Sequence, residues 1–89
     1  MKDIIRTELF KKQIKKLLKK HYNIAELETV LNCLVSGTKL PGKYKKHSLS
    51  GNWQGFEECH IRSNWLVIYR VTEKVIELVA TGTHDDLFK

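Results

Sequence analysis

The feature that most limits this chain is a change of apolar period at Leu40-Pro41-Gly42. Before it, apolar residues recur at helical spacing; after it, they alternate. Phe10, Ile14, Leu17 and Leu18 mark one face of a helix from Glu8 to about Lys20, with Thr7 as N-cap. Asn23 with Glu26 three residues on reads as a capping box for a second helix. Its stripe is Ile24, Leu27, Val30, Leu31, Leu34 and Val35, and Gly37 is its stop. The short His21-Tyr22-Asn23 link predicts an antiparallel helical hairpin, with His21 on the surface.

Beyond the break, Phe56, Glu58 and His60 share one face of a strand while Glu57, Cys59 and Ile61 share the other. In a second strand, over Asn64 to Val71, Trp65, Val67, Tyr69 and Val71 oppose Leu66, Ile68 and Arg70. Thr72-Glu73-Lys74 turns the chain into a strand from Val75 to Thr81, with Ile76, Leu78 and Ala80 toward the core. Lys2 to Arg6 adds a short first strand, and the residues after Gly82 a helical turn.

These elements predict an α+β fold. An N-terminal strand and a two-helix hairpin would pack on one face of a mostly antiparallel twisted sheet, with a short C-terminal helical turn. Eighty-nine residues bound the chain to a single domain, 1–89. The sheet face carrying Glu58 and His60 is then left to build a site.

Charge narrows the partners. Residues 1–46 hold twelve Lys/Arg against four Asp/Glu, whereas residues 47–89 hold four against six, so the net +6 lies in the first half. A positive field favours nucleic acid, an anionic surface or an acidic protein. The six lysines Lys11, Lys12, Lys15, Lys16, Lys19 and Lys20 either form a solvated helix face or bind phosphate or an acidic partner. The longest apolar run, Trp65 to Tyr69, is too short to span a membrane, and the basic N-terminus lacks a secretory apolar core. Cys33 and Cys59 form no Cys-x-x-Cys pair and read as buried free thiols of a reducing cytoplasm.

The chemistry points to His47, His60 and His84, each among small or polar neighbours. Imidazole gives and takes protons near neutral pH. Three imidazoles on a small, strongly basic chain suggest acid–base chemistry on a polyanion, which needs a base, stabilisation of developing charge and an acid for the leaving group. Glu58, beside His60 on its strand, is a candidate base with His60 itself, and His84 a candidate acid. His47 and Arg62 would hold the phosphate. The histidines form no His-x3–5-His pair and the cysteines add no close ligand pair, so neither a metal nor another cofactor is expected.

The segments His47-Ser48-Leu49-Ser50-Gly51, Glu58-Cys59-His60-Ile61, Trp65-Leu66-Val67-Ile68-Tyr69 and Thr81-Gly82-Thr83-His84 with Leu87-Phe88 resemble the YafQ-type toxins of the RelE/ParE toxin–antitoxin superfamily. That resemblance implies a RelE-like fold and a bacterial cytoplasmic endoribonuclease. It would cut mRNA in the ribosomal A site, contacting ribosomal RNA, and be silenced by a cognate antitoxin. It also implies catalytic roles for His47, His60 and His84 and a substrate role for Phe88. The pattern places an aspartate before the tryptophan, where this chain has Asn64, which hydrogen-bonds a phosphate or ribose but takes up no proton at neutral pH. Lys45, Arg62, Asn64, Trp65 and Phe88 are the candidate substrate-binding residues; for Trp65 core packing competes with base stacking. A ParE-like gyrase-binding toxin and a non-catalytic nucleic-acid-binding module are the alternatives. The first typically lacks the histidine set, and the second predicts that His60→Ala and His84→Ala leave the biological effect intact.

Overall fold

A computed structural model describes residues 2–88. Thr7 begins α1 (Glu8–Lys19) as expected, its Oγ1 accepting from the Phe10 N–H at 3.0 Å. Asn23 caps α2 (Ile24–Ser36) by accepting from the Ala25 N–H at 3.0 Å, and Gly37 ends it in the left-handed conformation at φ 75°. The expected capping box is only half formed, because the Glu26 carboxylate turns instead to Arg62 at 3.3 Å. The helices pack on the sheet more than on one another: α1 lies against β5 (Val75–Gly82) and α2 against β3 (Glu57–Arg62).

Five strands form one sheet in the order β1-β5-β4-β3-β2, where β1 is Asp3–Arg6, β2 His47–Ser48 and β4 Trp65–Val71. Only β1 runs parallel to its neighbour, β5; the other pairs are antiparallel. The two-residue β2 and the 3-10 turns at Gly42–Tyr44 and Gly51–Trp53 carry no sequence period that would predict them. A short helix, α3 (His84–Phe88), follows β5.

The core lies between helices and sheet. Phe10, Leu17, Leu27, Val30 and Leu34 meet Cys59, Ile61, Trp65, Val67, Tyr69, Ile76 and Leu78, all buried. Burial of each large apolar side chain contributes about 1.5–3 kcal/mol. One expectation is corrected here. Ile68 pairs with Ala80 but Tyr69 with Leu78, so Val79 is an extra residue that shifts the alternation. Ala80 therefore lies beside Ile68 on the face away from the helices, while Thr81 joins Trp65 on the helix side. That second face is not bare: Leu66 and Ile68 are fully buried on it, with the 51–56 loop and α3 nearby. Cys33, expected to be buried, is only half-buried.

Candidate active site

The short strand β2 has one consequence for the site: it sets His47 directly opposite Glu58. His60 is two residues along from Glu58 and so projects from the same face. The three side chains meet on one atom. Glu58 Oε1 lies 3.1 Å from His47 Nε2 and 3.2 Å from His60 Nε2, and the two rings are 6.1 Å apart. The Glu58 side chain is 5 % exposed, against 51 % for His47 and 24 % for His60. The carboxylate is thus a hidden anchor, and the imidazoles are what a substrate meets.

Backbone geometry fixes the other side of His47. Lys45 adopts the left-handed conformation (φ 48°, ψ 49°), and its carbonyl lies 3.0 Å from His47 Nδ1. A carbonyl only accepts, so Nδ1 carries hydrogen. Nε2 faces a carboxylate, so one proton lies between Nε2 and Oε1. His47 sits between two acceptors. His60 differs: donating through Nε2 to Glu58 leaves its Nδ1 with a lone pair.

His84 enters from β5. Across the sheet, Leu66 pairs with His60 on one side and Gly82 on the other, placing Gly82 roughly 10 Å from His60, two strand spacings. Gly82 has φ 155°, and a Cβ there would meet Asp86 Oδ2 at 3.1 Å. The Thr83 N–H donates to Asp86 Oδ2 (3.1 Å) and the Asp86 N–H to Thr83 Oγ1 (3.2 Å). Thr83, through its backbone N–H first and its hydroxyl second, holds the Asp86 carboxyl below the ordinary aspartate value. The His84 N–H donates to Asn64 Oδ1 at 3.3 Å.

An aromatic chain completes this end. The His84 ring lies 5.1 Å from Phe88, Phe88 meets Trp53 edge-on at 6.4 Å, and Trp53 meets Phe56 at 5.7 Å. The Arg70 guanidinium sits 5.4 Å over Phe56 and 2.8 Å from Glu77. Trp53 and Arg70 are not marked by the sequence reading; the only available signal was Arg70 sharing a strand face with Ile68.

Other candidates are drawn elsewhere. Arg62 pairs with Glu26 on α2 rather than with the histidines. Trp65 is 1 % exposed, packs edge-on to Tyr22 at 5.2 Å and donates from Nε1 to Thr81 Oγ1 at 2.9 Å. A sealed ring cannot stack on a base, so the substrate role expected of Trp65 is corrected to packing. The Lys45 side chain is exposed, beside an ion pair of Lys46 with Glu57 at 3.3 Å. Burial, reinforced by Glu58 and Glu57, pushes the Cys59 thiol up to about 12 and keeps it inert. Among the described residues no group of three His, Cys, Asp or Glu is disposed to hold a metal ion, and no helix is long and apolar enough to cross a membrane.

The model of a family described as the bacterial toxin of a type II toxin–antitoxin system, YafQ, matches residues 2–89. The chain belongs to the YafQ family. The mRNA interferase toxin YafQ of Escherichia coli K12 is 34 % identical over 88 residues, which are 98 % of this chain and 96 % of that one. A chain of the E. coli DinJ–YafQ complex superposes with TM-score 0.92 at 32 % identity, covering 100 % of both chains. A metal-bound toxin from Helicobacter pylori superposes with TM-score 0.93 at 33 % identity, covering 99 % of this chain and 100 % of that one. The RelE-like fold expected for YafQ-type toxins is the one this chain adopts.

Proposed function

We propose that this YafQ-family toxin is an endoribonuclease that cuts mRNA in the ribosomal A site by histidine acid–base catalysis, without metal. The sharing of Glu58 Oε1 between His47 and His60 carries the reading. A buried carboxylate that orients an imidazole and leaves its far nitrogen unprotonated is the arrangement a general base needs. His60 Nδ1 takes the 2′-hydroxyl proton. His47, held between two acceptors, offers positive charge to the phosphorane. His84 protonates the leaving 5′-oxygen, and Phe88 stacks on a base beside it. Glu58 then positions these groups rather than touching RNA.

An antitoxin of its own would silence it, as DinJ accompanies the E. coli YafQ chain. The basic first half supplies contacts to ribosomal RNA and to an acidic antitoxin segment.

The test is induced expression of wild type, His60→Ala, His84→Ala and Glu58→Gln, mapping message 5′ ends at ribosome-bound codons. Each variant is expected to lose about 10²–10⁴-fold in cleavage rate. Wild-type cleavage by His84→Ala removes the acid assignment, and wild-type cleavage by all three removes the histidine mechanism. Activity should survive a chelator selective for transition metals that spares the ribosome's magnesium.

A further inference from the structure

We infer that Asn64 is a positioning residue: its side-chain oxygen, through the His84 N–H, fixes where the His84 imidazole stands. The inference rests on the nuclease reading for its consequence and on geometry alone for its substance. A helix of five residues does not hold itself together in water, so α3 depends on its ties. Three of its amide bonds are internal: Thr83 N–H to Asp86, Asp86 N–H to Thr83 Oγ1, and Leu87 N–H to the Thr83 carbonyl. These shape the turn without locating it on the protein. Among the described residues, the hydrogen bond that joins α3 to a distant part of the chain is His84 N–H to Asn64 Oδ1, in the β3–β4 turn.

The geometry also assigns the amide. An N–H only donates, so Oδ1 faces His84 and Nδ2 points away. Asn64 ends the tight link between β3 and β4, whose next residue, Trp65, is locked in the core by Tyr22 and Thr81. The tie therefore runs from the β3–β4 turn, held in place by Trp65, to the start of a short helix. Loss of it frees the start of α3, which Phe88 on Trp53 then holds only from its far end, and displacement of a catalytic group by an ångström is costly to rate.

Three roles for this side chain predict different outcomes. If Oδ1 positions His84, Asn64→Asp keeps an acceptor and stays within about twofold of wild-type kcat, while Asn64→Leu falls about fivefold or more at little-changed KM. If Nδ2 instead donates to the phosphate, Asn64→Asp falls as far as Asn64→Leu. If a proton acceptor is wanted there, Asn64→Asp rises tenfold or more and gains a new acidic limb in its pH–rate profile. Either of the last two results overturns the inference. A readout independent of activity is the NMR exchange rate of the His84 amide, expected at least about tenfold faster in Asn64→Leu than in wild type or Asn64→Asp. Equal exchange in all three proteins also overturns it. Were wild type not to cut RNA while the amide behaves as described, the nuclease reading would fail and the positioning role would stand.

Discussion

Glu58 and Tyr69 are both polar and both buried, on opposite faces of the sheet, and their situations are opposite too. Glu58 finds two imidazole nitrogens. Tyr69 lies fully buried, and its hydroxyl has no hydrogen-bond partner among the described residues. Burial first, then Cys59 and Glu57, drives its ionisation far above the ordinary phenol value, so it stays neutral. An orphaned buried hydroxyl costs stability that its removal returns. Tyr69→Phe is therefore expected to unfold in urea at an equal or higher midpoint, with a gain of up to about 1 kcal/mol. A loss above that size would mean that the hydroxyl does have a partner. The alternation of residues 56–61 told in advance that Glu58 and His60 share a face. It did not tell that the Glu58 carboxylate is sealed, because the residues sealing it come from elsewhere in the chain. Trp65 and Arg62 mislead for the same reason: local pattern names a residue type but not the neighbour that claims it.

At the level of elements, α3 is the part most open to conditions. Its turn is closed by Thr83 and Asp86, whose folded carboxyl is held below the ordinary value of about 3.9. A lowered folded value means that the carboxylate's contribution is fully present above that ordinary value. It is lost as pH falls through the lowered one. The amide signals of Thr83 and Asp86 are thus expected to move toward random-coil positions in acid before those of β4 do. Simultaneous loss across the sheet would refute a local hinge. Both long helices and three strands were readable from apolar period and caps, and α3 from the turn after Gly82. The strand β2 was not, since two residues have no period and pair only because β3 offers an edge. Nor was the bulge at Val79, which two neighbouring registers create together.

Over the whole molecule, the positive charge and the candidate chemistry come from different stretches of chain. Lysines cluster on α1 and around Lys43 to Lys46, while His60 and His84 lie in the net-negative second half. Association with ribosomes is therefore expected to be dominated by phosphate contacts, falling at least about tenfold between 50 and 200 mM salt. Sedimentation with ribosomes across that range is the measurement, and a flat response would take the lysines out of binding.

The parallel seam between β1 and β5 has its own consequence. Asp3 cannot find its place until Val75 exists, and Thr7 closes on Val79 through its hydroxyl. Pairings so distant along a polymer form late and slowly. The stretch that bears His84 is thus moored to a partner 72 residues away through Thr7 and Val79, so the place of His84 is settled only when that distant pairing closes.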